Sequence, residues 1–149
     1  VIDLRELYQE VILDHNRRPR NKGRVPGATA SAAGHNPLCG DNVTVTLKTV
    51  DGRVADIAFE GVGCAVSTAS ASLMTEAIKG KTVEEAEEIF RRFQKMVTQI
   101  DEGHEDEGLG DLNVLAGVRA YPVRIKCATL PWHTFHAALL GEEDAVSTE

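Results

Sequence analysis

Asn42-Val43-Thr44-Val45-Thr46-Leu47-Lys48-Thr49-Val50-Asp51-Gly52-Arg53-Val54-Ala55-Asp56-Ile57-Ala58-Phe59-Glu60 reads as a β-hairpin, and its reading decides the fold class. Val43, Val45 and Leu47 alternate with Thr44, Thr46 and Lys48, the period of two that marks a half-buried strand. Asp51-Gly52 is a two-residue turn of the kind that tolerates positive φ at both positions. Beyond it Ala55, Ile57 and Phe59 fall on one side of the second strand, and Val54, Asp56 and Ala58 on the other. A hairpin alone is marginal in water, so a third, short strand is expected within residues 25–33.

Immediately upstream stands Gly34-His35-Asn36-Pro37-Leu38-Cys39-Gly40-Asp41. Residues two apart in an extended chain share a face, so Cys39 and Asp41 can meet one ion, with Gly40 letting the backbone turn between them. Further back, Leu4, Leu7, Tyr8, Val11 and Ile12 mark one face of a helix over 3–15, with Asp3 as N-cap. The stretch from there to about Gly34 is rich in Pro, Gly, Ala and Arg and reads as a loop. Its basic residues Arg17, Arg18, Arg20, Lys22 and Arg24 suit a solvated loop better than a docking site for an acidic partner.

Downstream, Gly61-Val62-Gly63-Cys64 opens a helix through about Lys79, closed by Gly80. Cys64 then lies at the helix N-terminus, where backbone N–H groups and the macrodipole favour a negatively charged sulfur. Ala65, Ser67, Ala69, Ser70 and Ala71 let this helix lie close to the sheet. Thr82-Val83-Glu84-Glu85 is a capping box that starts a helix to about Gln99, with Val83, Ala86, Ile89, Phe90, Phe93 and Val97 inward. Residues 101–111 form an acidic, glycine-rich loop, a better reading than a local metal site at His104. A short helix is expected over 112–120. The last helix carries Ile125, Cys127, Leu130, Phe135 and Leu139. Pro131 inside a helix costs about 3 kcal/mol, so the chain either kinks there or starts a new helix, leaving Cys127 in the preceding turn. The expected fold is α+β: a small, about three-stranded antiparallel sheet covered by helices, one domain over 1–141 with a disordered tail at 142–149.

At 149 residues the chain is long enough for a core without staples, and its net charge of −7 argues against a nucleic-acid surface. No apolar run reaches the roughly 18–20 residues a membrane span needs, and Asp3, Arg5 and Glu6 interrupt any signal peptide. The expected location is cytoplasmic. Three cysteines are an odd number, and a reducing compartment keeps all of them as thiols. Cysteine-protease chemistry would need a histidine held beside one of them, and His35, His133 and His136 stand in no such signature.

Cys39, Asp41, Cys64 and Cys127 make a set of three thiols and one carboxylate. There is no CxxC, and the gaps between cysteines are 25 and 63 residues, so spacing alone does not require a shared site. If they converge, the set suits tetrahedral zinc, while soft thiolates also suit iron–sulfur clusters. A carboxylate is the harder, more easily displaced ligand, which points to a site made to release or exchange something. Lys126 adjoins the third thiol and Arg124 stands three before it. Either can steady a thiolate or a persulfide anion, or simply lie on a solvated helix face.

Four segments carry a resemblance. They are Leu13-Asp14-His15 through Pro19-Arg20-Asn21, Asn36-Pro37-Leu38-Cys39-Gly40-Asp41, Phe59-Glu60-Gly61-Val62-Gly63-Cys64-Ala65-Val66-Ser67, and Ile125-Lys126-Cys127-Ala128-Thr129-Leu130. In this order the chain resembles the IscU/NifU-N-terminal family of iron–sulfur cluster assembly over residues 4–141. IscU proper has a His before its third Cys, where this chain has Lys126. The SufU branch has Lys there and an insertion that residues 101–120 match, so the resemblance is closer to SufU. It implies one zinc ion held by Cys39, Asp41, Cys64 and Cys127. It further implies a sulfur acceptor that takes persulfide sulfur from a cysteine desulfurase and passes it to downstream assembly or carrier proteins. By similarity to SufU the acceptor is Cys39. IscU-like chemistry favours Cys127 and a transient [2Fe–2S] cluster, or iron, at the same residues, and Arg124 is implied in ligand exchange or persulfide binding. A domain with purely structural zinc is the remaining alternative. In each case the chain serves other proteins rather than acting as a stand-alone enzyme.

Overall fold

The computed structural model describes residues 4–37, 40–98, 107–141 and 146–147. The hairpin is present as β2 (Asp41–Val50) and β3 (Arg53–Val62), with Val45 opposite Phe59 and Leu47 opposite Ile57. Asp51 and Gly52 have φ of 53° and 76°, the conformation the turn requires. One feature of the alternation differs. Lys48 faces Asp56 and Thr49 faces Val54, so Ala55 is the extra residue of a β-bulge. The bulge turns Ala55 outward and buries Val54 with Ile57, whereas strict alternation puts Val54 on the opposite side.

The third strand, β1 (Ala30–Asn36), pairs antiparallel with β2, Gly34 opposite Val43 and Asn36 opposite Asp41. It begins later than residue 25 because Pro26-Gly27 turns the chain, with Gly27 at a φ of 70°. Val146–Ser147, β4, adds in parallel at Gly34 and His35, giving the order β3-β2-β1-β4. These two residues belong to the segment expected as a disordered tail; the rest of that segment lies outside the described residues.

The helices are α1 (Leu4–Arg17), α2 (Ala65–Ile78), α3 (Val83–Thr98) and α4 (Pro122–Leu140). Between α3 and α4 the expected short helix is a run of 3₁₀ turns, Glu107–Ala120, broken at Gly110 (φ 56°, ψ −125°). The capping box closes as read: Thr82 N–H donates to Glu85 Oε1, and Glu85 N–H to Thr82 Oγ1. The Asp3 cap, Gln99 and residues 101–106 of the acidic loop, His104 among them, fall outside the described residues; residues 107–111, expected as part of that loop, belong to the run of 3₁₀ turns.

α4 packs on β1 and β2 and against α2, burying Leu130, Trp132 and Phe135. The approach to β1 is close: a Cβ at Gly34 would lie 2.2 Å from Thr134 Oγ1. α4 runs unbroken through Pro131, so the alternative of a helix restarting there falls and Cys127 sits inside the helix. Pro131 gives the carbonyl of Cys127 no N–H, a loss offset by burying that whole turn. Phe93 stacks on Trp132 with centroids 4.4 Å apart. No described helix is long and apolar enough to cross a membrane.

α1 and the loop after it are pinned to α2. His15 Nδ1 lies 2.7 Å from Ser72 Oγ, which also accepts from the N–H of Arg20 at 2.9 Å. Arg18 and Arg20 pair with Asp14, and Arg24 with Glu60, so three residues of the basic run are committed within the chain. The Arg20 hydrogen bond holds the Asp14 carboxyl below its usual range.

Candidate metal centre

Asp41 opens β2, next to the rim where β3 ends, because Asn42 pairs with Val62. Gly61 permits that approach: its φ is +140°, and a Cβ there would lie 2.1 Å from the carbonyl oxygen of Asn42. The chain leaves β3 through Gly63 and enters α2 directly beside Asp41. Cys64 is the N-cap of α2 in extended conformation (φ −69°, ψ 170°), and its Sγ accepts from the N–H of Ser67 at 3.5 Å. The N–H of Cys64 itself donates to Asp41 Oδ1 at 2.8 Å, while its Sγ lies 3.7 Å from Oδ2. Cys127 arrives from the second turn of α4.

The ligand atoms of Asp41, Cys64 and Cys127 all lie within 4.8 Å of one another. Asp41 is 1% exposed, Cys127 is fully buried, and Cys64 is half-exposed. As a thiol, Cys64 is placed to donate to the Asp41 carboxylate; with both sulfurs deprotonated, three negative groups this close together would need a cation between them. Thiolates at about 2.3 Å and a carboxylate oxygen at about 2.1 Å from a tetrahedral ion lie roughly 3.5–3.8 Å apart, compatible with this cluster. The donor set fits zinc or a thiolate-bound iron centre.

Three of the four expected ligands therefore converge, although they come from a strand, a helix N-terminus and a helix interior. Cys39 lies outside the described residues. Around it, Gly40 (φ 72°) donates its N–H to Asn36 at 2.9 Å, closing the connection between β1 and β2. Arg124 is exposed in the first turn of α4, Lys126 is half-buried, and neither forms an ion pair among the described residues. Among the described residues no histidine joins the cluster. His133 and His136 pack on Phe90, and burial, then His136, pushes the His133 pKa down.

Sequence reasoning missed how the two cysteine helices are joined. Ser70 of α2 donates to the carbonyl of Ala128 at 2.5 Å and accepts from Trp132 Nε1 at 3.1 Å, all three residues being fully buried. The available signal was Trp132, whose indole N–H needs a partner when buried.

Fold and site together define a small α+β domain with a cysteine–carboxylate cluster at one end of its sheet. The chain belongs to the family of the NifU-like N terminal domain, whose model matches residues 7–128. It is 44% identical over 141 residues to the zinc-dependent sulfurtransferase SufU of Bacillus subtilis, covering 95% of each chain. It is 43% identical over 142 residues to the iron–sulfur cluster assembly scaffold protein IscU of Streptococcus pyogenes, covering 95% of this chain and 88% of that one. Among solved structures, a candidate iron–sulfur cluster assembly scaffold protein for the SUF system of Fervidobacterium islandicum superposes with a TM-score of 0.80 at 36% identity, covering 92% of this chain and 99% of that one.

Proposed function

We propose that this chain serves iron–sulfur cluster assembly as a zinc-binding sulfur acceptor, working with a cysteine desulfurase. The observation that carries the proposal is the convergence of Asp41, Cys64 and Cys127 within 4.8 Å, with Cys64 alone of the three open to solvent. Similarity to a zinc-dependent sulfurtransferase supports it.

In this reading Cys39, Asp41, Cys64 and Cys127 are the ligands. Zinc, when bound, keeps the thiols deprotonated and masks them as nucleophiles. The acceptor's thiolate attacks the outer sulfur of the desulfurase persulfide. The donor's S–S bond breaks, its cysteine leaves as a thiolate, the outer sulfur keeps its own proton, and a new S–S bond forms on this chain with no net redox change. Cys39 is the proposed acceptor. Cys127, 0% exposed, is poorly placed for direct attack from outside. Arg124 at the exposed start of α4 is the cation proposed to steady the persulfide. A dithiol reductant then supplies two electrons and releases sulfide to downstream assembly proteins. Val62 (74% exposed), two residues before Cys64, and Val123 (54%), one helical turn before Cys127, give the docking partner apolar footing beside the site.

The second reading is a scaffold that assembles a transient [2Fe–2S] cluster on the same residues, favoured by similarity to an IscU. A purely structural zinc is disfavoured because the hydrophobic core closes around Leu47, Ile57, Met74, Phe93, Trp132 and Phe135 without any of the three ligands.

The test is to measure the metal content of the purified chain, incubate it with a cysteine desulfurase and cysteine, and locate persulfide by mass spectrometry. Stoichiometric zinc with persulfide on Cys39 is the expected result. Iron with acid-labile sulfide moves the function to the scaffold reading. Tight zinc without persulfide on any cysteine overturns sulfur transfer.

A further inference from the structure

The thiols of Cys64 and Cys127 belong to two helices, and one hydroxyl joins those helices beside them. Ser70 lies six residues after Cys64 on α2. Its O–H donates to the carbonyl of Ala128, the residue next to Cys127, and its oxygen accepts from the indole of Trp132, one turn further along α4. Ser70, Ala128 and Trp132 are each 0% exposed, so no water competes for these bonds. The span Ala128–Trp132 includes Pro131, which has no N–H, so this turn of α4 has one rung fewer to hold its own geometry. From this we infer that Ser70 is a positioning residue, clamping the Cys127 turn of α4 to the Cys64 helix and fixing the distance between the two sulfurs. The inference rests on the proposed reading that Asp41, Cys64 and Cys127 share one ion.

Ser72 provides a matched control. It is on the same helix and equally buried, but it bonds to His15 and Arg20 on the far side, away from α4. Ser70→Ala and Ser72→Ala therefore both cost α2 a buried hydroxyl, and only the first loosens Cys127.

The experiment compares the full chain with both variants in two ways. Zinc affinity is measured by competition with a chromophoric chelator, and the ligand field is read from the cobalt-substituted spectrum. Separately, alkylation of Cys127 in the metal-free protein is followed by mass spectrometry. Ser70→Ala is expected to weaken zinc about tenfold, the low end for residues that orient metal ligands, and to shift the cobalt spectrum. It is also expected to speed alkylation of Cys127 about tenfold, reflecting a freed turn. Ser72→Ala is expected to change each of these less than twofold, even where its melting temperature falls as far. Equal effects of the two variants, or no effect of Ser70→Ala on alkylation, overturn the positioning role. A wild-type chain that binds neither zinc nor cobalt overturns the proposed function, and the alkylation comparison still decides on Ser70.

Discussion

The backbone N–H of Cys64 donates to Oδ1 of Asp41 at 2.8 Å, so the carboxylate orients the peptide of the very cysteine it stands beside. Asp41 thus has two functions in one side chain, a helix-entry acceptor through Oδ1 and a ligand candidate through Oδ2. Asp41→Ala removes both. Stability should fall by about 1–3 kcal/mol, the usual cost of orphaning a buried donor, and zinc should be lost or weakened by at least tenfold. Asp41→Asn keeps an acceptor for Cys64 and should restore most of the stability without restoring the affinity. Chemical denaturation and chelator competition on the two variants separate the functions; equal stabilities would refute the helix-entry function.

Metal removal should leave the fold in place. The core closes between the sheet, α2, α3 and α4 on apolar residues that include none of the three clustered ligands. Chelator-treated protein should retain its far-ultraviolet circular dichroism and unfold cooperatively, with a lower melting temperature because zinc binds only the native state. Loss of helical signal on chelation alone would instead mark the ion as structural.

Much of this was legible in the sequence. The hairpin declared itself through alternation and Asp51-Gly52, and the capping box at Thr82 through Glu85 three residues on, because these are local devices. The bulge at Ala55 was hidden, since an extra residue in one strand is visible only from the register of its partner. The unbroken path of α4 through Pro131 was equally hidden: burial of Leu130, Trp132 and Phe135 outweighs a local penalty, and burial is not local. Asp41, Cys64 and Cys127 were nominated by type and resemblance, but their convergence depends on the closeness of Gly61 to Asn42 and on α4 lying across β1 and β2.

That packing of α4 on the sheet is testable at Gly34, which faces Val43 across β1 and β2 at the same end of the sheet as Asp41. Gly34 has an ordinary backbone conformation, so its need for glycine is purely a matter of space. A Cβ there would lie 2.2 Å from Thr134 Oγ1 and 3.1 Å from Leu130 Cδ1. Gly34→Ala should push α4 off β1 and cost about 1–3 kcal/mol, as overpacking usually does. Thr134→Ala in the same chain should recover part of the loss by vacating the nearest atom. Melting temperatures of the single and double variants check this, and simple additivity would show that the two positions do not meet.

His15 should make the attachment of α1 sensitive to acid. Its ring is buried, with Nδ1 at Ser72 Oγ and Nε2 3.5 Å from Glu76 Oε1. Burial first, and then the positive charge of Arg20, push its pKa below the ordinary value of 6.5, against the opposing pull of Glu76, Asp14 and Asp111. With the folded pKa below the unfolded one, the unfolded chain binds more protons between the two values, so stability rises with pH through that window. The contribution of neutral His15 is complete above about pH 6.5 and is lost as the pH falls below it. His133, also lowered by burial, adds to the same slope from the α3–α4 side. Melting temperature recorded from pH 8 to pH 5 should therefore decline below about 6.5, and His15→Gln, which cannot titrate, should flatten part of that decline. A variant whose profile runs parallel to the wild type would show that His15 does not gate the contact between α1 and α2.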